Sequence, residues 1–532
     1  MKQKNIFCIA AITLVAAMMA SCEKGPYSQN TGSEAEAYIQ INIAFAEPET
    51  KADSDDSGNY LVAVENEYQV NNAYLYLFNQ SSNTYYKTIT IAGDNSTDNQ
   101  FTTNQNGTNN WYYTSKPQEI DPGTYNIYAT INHEVTGLTA NTTTEDQFQK
   151  MAITQTDGFN MNVPSEGMPM SSRGNDGTLF APSVYISSVN TFDNPVQVSL
   201  DIERSWAKVR CKIESGNSFS VKENRATTGT EIATISLIGY KLVNCPSTYH
   251  LFRQVANLNM NTITPELSGD IAFTALTNKT ATGSDPSTEG TNYLYTPLTT
   301  SFTTGNTYPA TISNFKGDHE FIGIGSASGQ VNISTSDSDS EMTHVGYLLE
   351  NSMHETAQKL GYATAVIFKA KITPAAGNFY DIITTDVETA TYSEGNPLYY
   401  FNNKFYADLE ALNKHTNLGV TETNYADFGV KYYYDGTCFY RYYIEHWDNG
   451  IDPTSGKADM GVMEYAIVRN NSYDITVSSI LAPGISNTKN TDTGYPVGDA
   501  ELLKNIEIDE VYFQVQLTIR PWVVRTQSAV LG

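Results

Sequence analysis

Apolar and polar side chains alternate along much of this chain, and the alternation is clearest in residues 37–45. A repeat of two residues is typical of a β-strand that buries one face, because successive side chains point to opposite sides of a sheet. The apolar positions of this run are Ile39, Ile41, Ile43 and Phe45. The opposite face carries Gln40, Asn42 and Ala44. The pattern predicts a first strand with one face in a core.

Further runs with a period of two, or rich in aromatic residues, predict strands separated by Asn, Gly, Asp and Pro turns. They cover residues 72–78, 125–131, 184–188, 196–202, 207–213, 232–242, 363–372, 431–444, 472–480 and 511–524. Helical periodicity is confined to residues 144–152 and 405–412, and residues 242–362 read as long surface loops rich in Thr, Ser and Gly. This balance predicts an all-β protein with minor α decorations, built as β-sandwiches.

The amino terminus has the pattern of an export signal. Lys2 and Lys4 precede an apolar run over residues 6–20, which ends in Ser21 and Cys22. The run is shorter than the roughly 20 residues that a membrane-spanning helix needs. A small residue before a cysteine is typical of a lipoprotein signal peptide, so residues 1–22 are predicted to be the signal and Cys22 the lipidated residue. An ordinary signal peptide with an incidental cysteine is the alternative.

Composition excludes several classes of function. Acidic residues number 58 against 31 basic ones, and the resulting net charge of −27 repels nucleic-acid phosphates, so no nucleic acid is expected as a partner.

Length and the 40% hydrophobic content favour two large domains. Once Cys8 leaves with the signal and Cys22 carries lipid, only Cys211, Cys245 and Cys438 remain. These three cysteines can form at most one disulfide, so the fold is not expected to depend on a network of disulfides.

No catalytic or metal-binding motif is present in the sequence. The seven histidines never occur at metal-ligand spacing, and there is no Cys-x-x-Cys pair. Asp337, Asp339 and Glu341 alternate, but they lack the turn glycine and the closing bidentate residue of a calcium loop, so a solvated acidic surface is the better interpretation. The chain is therefore predicted to be neither an enzyme nor dependent on a cofactor or metal.

The most aromatic segment, residues 432–443, admits two interpretations. Aromatic pairs across neighbouring strands stabilise a sheet and are a sufficient structural reason for such a run. Alternatively, Tyr440 and Tyr442 could stack on sugar rings in a glycan-binding surface lipoprotein. The structural interpretation is favoured.

Several segments in order along the chain carry a family resemblance. They are the alternating strand before Thr50-Lys51-Ala52 and residues 202–209, 366–374, 468–480 and 517–524. Together they resemble the Mfa-type fimbrillins, stalk subunits of type V pili among the FimA/Mfa-like fimbrial proteins. The resemblance extends from the signal peptide to the last residue. It implies two transthyretin-like β-sandwich domains, placed at 52–222 and 223–532, after a tether and removable first strand at 23–51.

The resemblance also implies a mode of assembly. Such precursors reach the outer membrane as lipoproteins, and a trypsin-like surface protease then removes lipid and first strand. The carboxyl-terminal strand of another copy fills the vacated groove, and repetition gives a head-to-tail polymer that joins anchor and tip subunits in a cell-surface fimbrium. The fibre supports adhesion and biofilm formation. An anchor, tip or accessory role in the same fibre remains an alternative.

The resemblance assigns roles to residues at both ends of the chain. Family members are often cut after arginine, but no arginine precedes Arg173, so the predicted cleavage lies between Lys51 and Ala52. A solvated loop lysine is the alternative for Lys51. The candidate donor residues, in the last strand and beyond Pro521, are Val511, Phe513, Val515, Leu517, Ile519, Trp522, Val524, Val530 and Leu531.

Overall fold

The computed structural model describes the chain in segments. They are residues 37–45, 61–63, 65–94, 96–103, 113–149, 151–155, 159–173, 179–214, 216–246, 248–253, 315–316, 321–328, 330, 342–351, 363–446, 465–486 and 513–523. Some predicted sites lie outside these segments, namely Cys22, Lys51, Ala52, Asp337, Asp339, Glu341, Val511, Val524, Val530 and Leu531.

Strands make up most of the described chain. The first of them are β1 (Ala37–Phe45), β2 (Leu61–Val62), β3 (Asn72–Asn79), β4 (Thr84–Ala92), β5 (Phe101–Thr103), β6 (Tyr113–Ser115), β7 (Gln118–Ile120), β8 (Gly123–Ile131), β9 (Ala152–Thr154), β10 (Phe159–Asn160), β11 (Met170–Arg173), β12 (Ala181–Ile186), β13 (Val196–Arg204), β14 (Trp206–Ile213) and β15 (Ser218–Lys222). The later ones are β16 (Glu231–Val243), β17 (Cys245–Pro246), β18 (Thr248–His250), β19 (Phe315–Lys316), β20 (Ile322–Gly323), β21 (Thr343–Leu349), β22 (Ala365–Pro374), β23 (Phe379–Ile383), β24 (Asp386–Thr389), β25 (Leu398–Phe401), β26 (Lys404–Tyr406), β27 (Lys431–Tyr433), β28 (Thr437–Tyr443), β29 (Asn471–Ile480), β30 (Ile485–Ser486) and β31 (Phe513–Val523). Helices are short: α1 (Glu145–Gln149), α2 (Leu409–Thr416) and 3-10 turns at Glu65–Glu67, Glu223–Arg225 and Tyr425–Phe428.

The strands form several sheets. A ten-stranded sheet has the order β4-β3-β8-β11-β13-β1-β6-β5, with β12 on β8 and β7 on β1. One six-stranded sheet has the order β10-β21-β14-β29-β31-β2, and another has β15-β16-β22-β28-β30 with β20 on β16. A five-stranded sheet, β24-β23-β26-β25-β27, and two strand pairs, β17-β19 and β18-β9, complete the described part. The predicted fold class, all-β with minor helices, is confirmed.

Two large hydrophobic clusters lie on either side of a junction at Trp206. The amino-terminal core takes most of its side chains from the ten-stranded sheet, among them Ile41 and Leu200, and it includes Trp206 at the start of β14. The carboxyl-terminal core begins with the next residue, Ala207, and takes side chains from the two six-stranded sheets and from the five-stranded sheet. Residues between 207 and 221 pack in this second core. The predicted boundary between the two domains, at residues 222 and 223, stays a prediction.

The predicted helix at residues 405–412 is wrong in position. Residues 404–406 form β26, which pairs with β25 through a turn whose Asn402 and Asn403 have positive φ angles. The helix begins only after Asp408, whose side chain accepts a hydrogen bond from Ala411 N at 2.8 Å. Aspartate is a strong helix N-cap, and its position decides where the helix can start.

The loop prediction for residues 242–362 is wrong for the end of β16, for the short strands β17, β18, β19 and β20, and above all for residues 343–349. This segment forms β21, which pairs antiparallel with β14 and buries Val345, Leu348 and Leu349. Its short apolar run is surrounded by Ser, Thr and acidic residues, which masked the strand pattern. The strand β4 was also missed, because its side chains are mostly half-buried and its first four residues do not alternate in polarity, although residues 88–91 do.

A buried ionic cluster lies at the junction of the two cores. The carboxylate of Glu67 is fully buried and receives hydrogen bonds from Lys208 Nζ at 2.5 Å and Tyr347 OH at 2.7 Å. The guanidinium of Arg204 donates to the Glu67 carbonyl and to Asn470 Oδ1, both at 2.9 Å. Burial lowers the pKa of Arg204 to about 10. These contacts join β13 and the turn at Glu65–Glu67 to β14, β21 and the segment before β29.

A second buried group continues this cluster. Arg469 Nη2 donates to Glu350 Oε2 at 2.5 Å, and Arg469 Nη1 lies 3.7 Å from Glu203 Oε1. The same Glu203 oxygen lies 3.6 Å from Arg253 Nε. Burial raises the pKa of the Glu350 carboxyl, although Arg469 opposes that shift. Buried charges of this kind cost free energy unless they are paired, so they fix the relative positions of the strands that carry them.

We expect His344 to make the protein less stable in mild acid. Burial, and then the charges of Lys208 and Arg210, lower its pKa from 6.5 to about 4, while the Met161 carbonyl and Glu67 act in the opposite direction. A lowered pKa contributes stability above the unfolded-state value, and that stability is lost as the pH falls through the folded-state value. Urea titrations at pH 7 and at pH 4.5 would measure how far the unfolding free energy falls in each protein. The fall should be smaller in the His344→Gln variant than in the parent protein, by about 1–3 kcal/mol. An equal loss in both proteins would contradict this assignment.

Candidate functional site

The first strand lies inside the ten-stranded sheet and has partners on both sides. It runs parallel to β13, with Ile39 opposite Val196 and Phe45 opposite Ile202. Along its other edge it pairs antiparallel with β7 near its start and with β6 near its end. Because both edges of β1 are bonded, its removal would leave strands with unpaired backbone groups on both sides of one gap. We call this gap the β1 groove.

One face of β1 is buried, as the alternation predicted. Ile39, Ile41 and Ile43 are each 0% exposed within the amino-terminal core. Burying three such side chains stabilises the fold by about 5–9 kcal/mol. Phe45 is only partly buried, and its ring meets Tyr68 and Tyr113 edge to face with centroids 6.3 Å apart in each case.

The other face of β1 carries amide side chains that are bonded to the neighbouring strands. On the β13 side, Gln197 Nε2 donates to Gln40 Oε1 at 2.6 Å, and Asn42 Nδ2 donates to Gln197 Oε1 at 3.1 Å. On the β6 side, Gln40 Nε2 donates to the Ser115 carbonyl at 2.7 Å, and Thr114 Oγ1 donates to Asn42 Oδ1 at 3.1 Å. These five residues form what we call the amide ladder, which spans the groove from edge to edge.

The side chain of Ser115 also serves the backbone of β1. Ile41 N donates to Ser115 Oγ at 3.0 Å, at the point where β6 ends and before β7 begins. Pro117 lies in that interruption and has no N–H to offer. The sequence analysis missed the amide ladder, although Gln40 and Asn42 at alternate positions are its visible signal. Its partners at positions 114, 115 and 197 are too distant in sequence to be recognised without the fold.

The candidate donor strand is docked in its own carboxyl-terminal sheet. β31 pairs antiparallel with β29 from Phe513, opposite Ile480, to Pro521, opposite Asn471. Val515 and Leu517 are half-buried against the carboxyl-terminal core, and Gln514 and Gln516 are exposed. Near its end, Trp522 and Val523 pair with β2. The two predicted exchange partners, β1 and β31, therefore lie in different sheets of the same chain.

The aromatic segment is part of the carboxyl-terminal core. Tyr440 is 1% exposed and donates to the Ala482 carbonyl at 2.9 Å, while Tyr433 is buried and donates to the Gly484 carbonyl at 3.1 Å. Tyr442 is partly buried against the same cluster. A buried Tyr440 cannot stack on a sugar ring, so the glycan-platform interpretation is wrong for this residue.

The cysteines and the potential metal ligands of the described residues do not form a reactive site. Cys211, Cys245 and Cys438 are free and buried, and burial raises their thiol pKa values, that of Cys438 to about 12. Such thiols are unreactive. Among the residues that the structure describes, no group of three His, Cys, Asp or Glu side chains could hold a metal ion. The same residues contain no helix that is long and apolar enough to cross a membrane.

Comparisons with known proteins agree on one family. The family described as major fimbrial subunit protein (FimA) matches residues 37–313, more than half of the 532 residues. The family described as major fimbrial subunit protein type IV, fimbrillin, C-terminal, matches residues 431–528. No curated protein sequence matches the chain.

Several solved structures align with most of this chain but share little sequence identity with it. A fimbrilin (FimA) from Porphyromonas gingivalis W83 is 14% identical, with 92% of this chain and 99% of that chain covered and a TM-score of 0.39. A candidate cell adhesion protein from Parabacteroides distasonis ATCC 8503 is 12% identical, with 92% and 98% covered and a TM-score of 0.40. The tip fimbrial protein Mfa3 from Porphyromonas gingivalis is 9% identical, with 92% and 100% covered and a TM-score of 0.36. On the family matches, the chain belongs to the FimA family of major fimbrial subunit proteins, which are structural, non-enzymatic proteins of cell-surface fimbriae.

Proposed function

We propose that this fimbrial subunit is a stalk pilin of the Mfa type that polymerises head to tail by donor-strand exchange. It is exported as a lipoprotein on Cys22 and held at the outer membrane until a trypsin-like protease cuts between Lys51 and Ala52. The cut releases β1, and the carboxyl-terminal strand of another copy fills the β1 groove. The fibre joins anchor and tip subunits and supports adhesion and biofilm formation.

The observation that carries this proposal is the place of β1 in the sheet. An inner strand that supplies three fully buried isoleucines comes from residues 37–45, just ahead of the candidate cleavage site. Loss of such a strand opens both a hydrophobic trough and two rows of backbone donors and acceptors. An added strand satisfies both, because main-chain hydrogen bonds give affinity and alternate side chains fill pockets.

Burial favours the exchanged state of the donor strand. In its own sheet, β31 leaves Val515 and Leu517 partly exposed, whereas the positions of Ile41 and Ile43 in the groove are 0% exposed. Moving apolar surface out of water contributes about 25 cal/mol per Å². Donor and acceptor also lie on different surfaces of one chain, which gives an open filament rather than a closed dimer.

Cleavage ahead of residue 52 should convert monomers into filaments. We expect protein lacking residues 1–22 to give a new amino terminus at Ala52 after limited trypsin treatment, and to assemble as seen by size-exclusion chromatography and negative-stain microscopy. A variant with the recognition sequence of a site-specific protease in place of residues 47–52 restricts the cut to this segment, because trypsin also recognises other lysines.

The Lys51→Gln variant is the control for trypsin, and it should remain monomeric under the same treatment. A protein that loses β1 at the engineered site and still stays monomeric would contradict the stalk function. A protein that assembles without any cut would contradict the role of cleavage.

A further inference from the structure

On the basis of the proposed strand exchange, we infer that the donor strand enters the β1 groove in the same direction as β1, with Gln514 in the place of Gln40 and Gln516 in the place of Asn42. The inference concerns the register and the orientation of the donor, which strand exchange by itself leaves open. It makes the amide ladder the feature that selects the register.

The two strands have matching patterns of side chains. Residues 39–43 read Ile-Gln-Ile-Asn-Ile, and residues 513–517 read Phe-Gln-Val-Gln-Leu. Each has amide side chains at its second and fourth positions and large apolar side chains at the other positions. Superposing them places Val515 at Ile41 and Leu517 at Ile43, where the groove is fully buried.

The groove retains partners for both amides after β1 has left. Gln197 bonds both Gln40 and Asn42 from the β13 side, and Thr114 and the Ser115 carbonyl bond them from the β6 side. Gln514 and Gln516 are exposed on β31, where Gln514 Oε1 accepts a hydrogen bond from Ser479 Oγ at 2.7 Å. Glutamine at both positions can therefore meet the same donors and acceptors that β1 meets.

The strand directions are consistent with this orientation. β31 starts at Phe513, opposite Ile480, and ends beside Asn471, whose neighbour Asn470 bonds the Trp206 carbonyl at the junction. Its start thus lies at the end of the carboxyl-terminal core that is farthest from the junction. A strand that detaches from β29 but stays attached at Phe513 therefore extends away from its own subunit.

The start of β1 lies at the end of its sheet that is away from the junction. β1 starts beside Val196 and ends beside Ile202, close to the junction residue Trp206. A donor that enters at the end far from the junction leads with its free carboxyl end and leaves Phe513 at the entrance, near the place of Ile39. It then runs in the direction of β1, parallel to β13.

Register errors are disfavoured by both faces of the strand. A shift of one residue would place the glutamine amides in the apolar trough, because successive side chains point to opposite faces. A shift of two residues would bring Thr518 or Tyr512 into the ladder in place of an amide. The register with both glutamines in the ladder is the one that satisfies the buried face and the polar face together.

Cross-linking between copies tests the register directly. In the inferred placement Gln516 lies opposite Ser199, as Asn42 does. Ser199 is partly exposed, whereas the place of Asn42, on the same face of the sheet, is 7% exposed. The double variant Ser199→Cys, Gln516→Cys, cleaved, assembled and then oxidised, should give a ladder of covalent oligomers on non-reducing gels. Ser199 and Gln516 lie in different sheets of one chain, so the disulfide reports a contact between copies.

Two further cysteine pairs test the alternative placements of the donor strand, in which its direction or its register differs. In the reversed orientation Gln516 would lie opposite Gln197, so a ladder from the pair Gln197→Cys, Gln516→Cys, without one from Ser199→Cys, Gln516→Cys, would overturn the inference. A ladder from Ser199→Cys, Gln514→Cys alone would overturn it as well, by indicating reversal or a shift of two residues. Filament formation by the parent protein is scored separately, so failure of strand exchange itself is distinguishable from a wrong register.

Discussion

Replacement of Glu67 by glutamine should lower the free energy of unfolding by about 3–5 kcal/mol, because it leaves buried cations without their counter-charge. The Glu67 carboxylate is fully buried and bonds Lys208 and Tyr347, and its charge also acts on Arg204. A neutral amide keeps the volume but cannot compensate either cation. Chemical denaturation followed by tyrosine and tryptophan fluorescence would measure the loss.

The same 3-10 turn provides a matched control for this substitution. Glu65 lies two residues away and is exposed, so Glu65→Gln should change the unfolding free energy by less than about 0.5 kcal/mol. The double variant Glu67→Met, Lys208→Met removes one charge of each sign and should recover a substantial part of the lost stability. If Glu67→Gln were as harmless as Glu65→Gln, the junction would not depend on this carboxylate.

The alternation of side chains was sufficient to predict most of the large strands. Residues 39–43, 207–213 and 472–480 each bury one face that the period of two identifies, and the structure confirms them as parts of β1, β14 and β29. The pattern works where one face meets a core and the other meets polar surroundings. It fails for β4, whose faces are both half-buried, and for the short β21 within a polar region.

The polar parts of the site were beyond the reach of sequence periodicity. Glu67 is one of several acidic residues in a polar stretch, and only the fold brings it to Lys208 and Tyr347. The amide ladder is similar, since Gln40 reaches Gln197 across more than 150 residues of sequence. Such contacts depend on strand order and register, which a parallel pairing between β1 and β13 sets over a long distance along the chain.

A disulfide that locks β31 onto β29 should block assembly completely and reversibly. Thr476 and Gln516 lie directly opposite each other in the antiparallel pair, and neither side chain is fully buried. Opposed residues of this kind are at a separation that a disulfide can span. The oxidised Thr476→Cys, Gln516→Cys variant, cut at the engineered site, should stay monomeric on size-exclusion chromatography. Addition of a reductant should then start filament growth, because it frees the donor strand.

A second lock in the same core separates release of the donor from general stiffening. Thr234 and Thr373 are opposed in β16 and β22, away from β31, so the oxidised Thr234→Cys, Thr373→Cys variant should assemble like the parent. The native thiols are buried and should not interfere with either disulfide. Filaments from the oxidised β31 lock would mean that residues 513–521 remain on β29 in the fibre. The donor would then have to come from the chain beyond Val523, and the place of β1 would be filled by that tail.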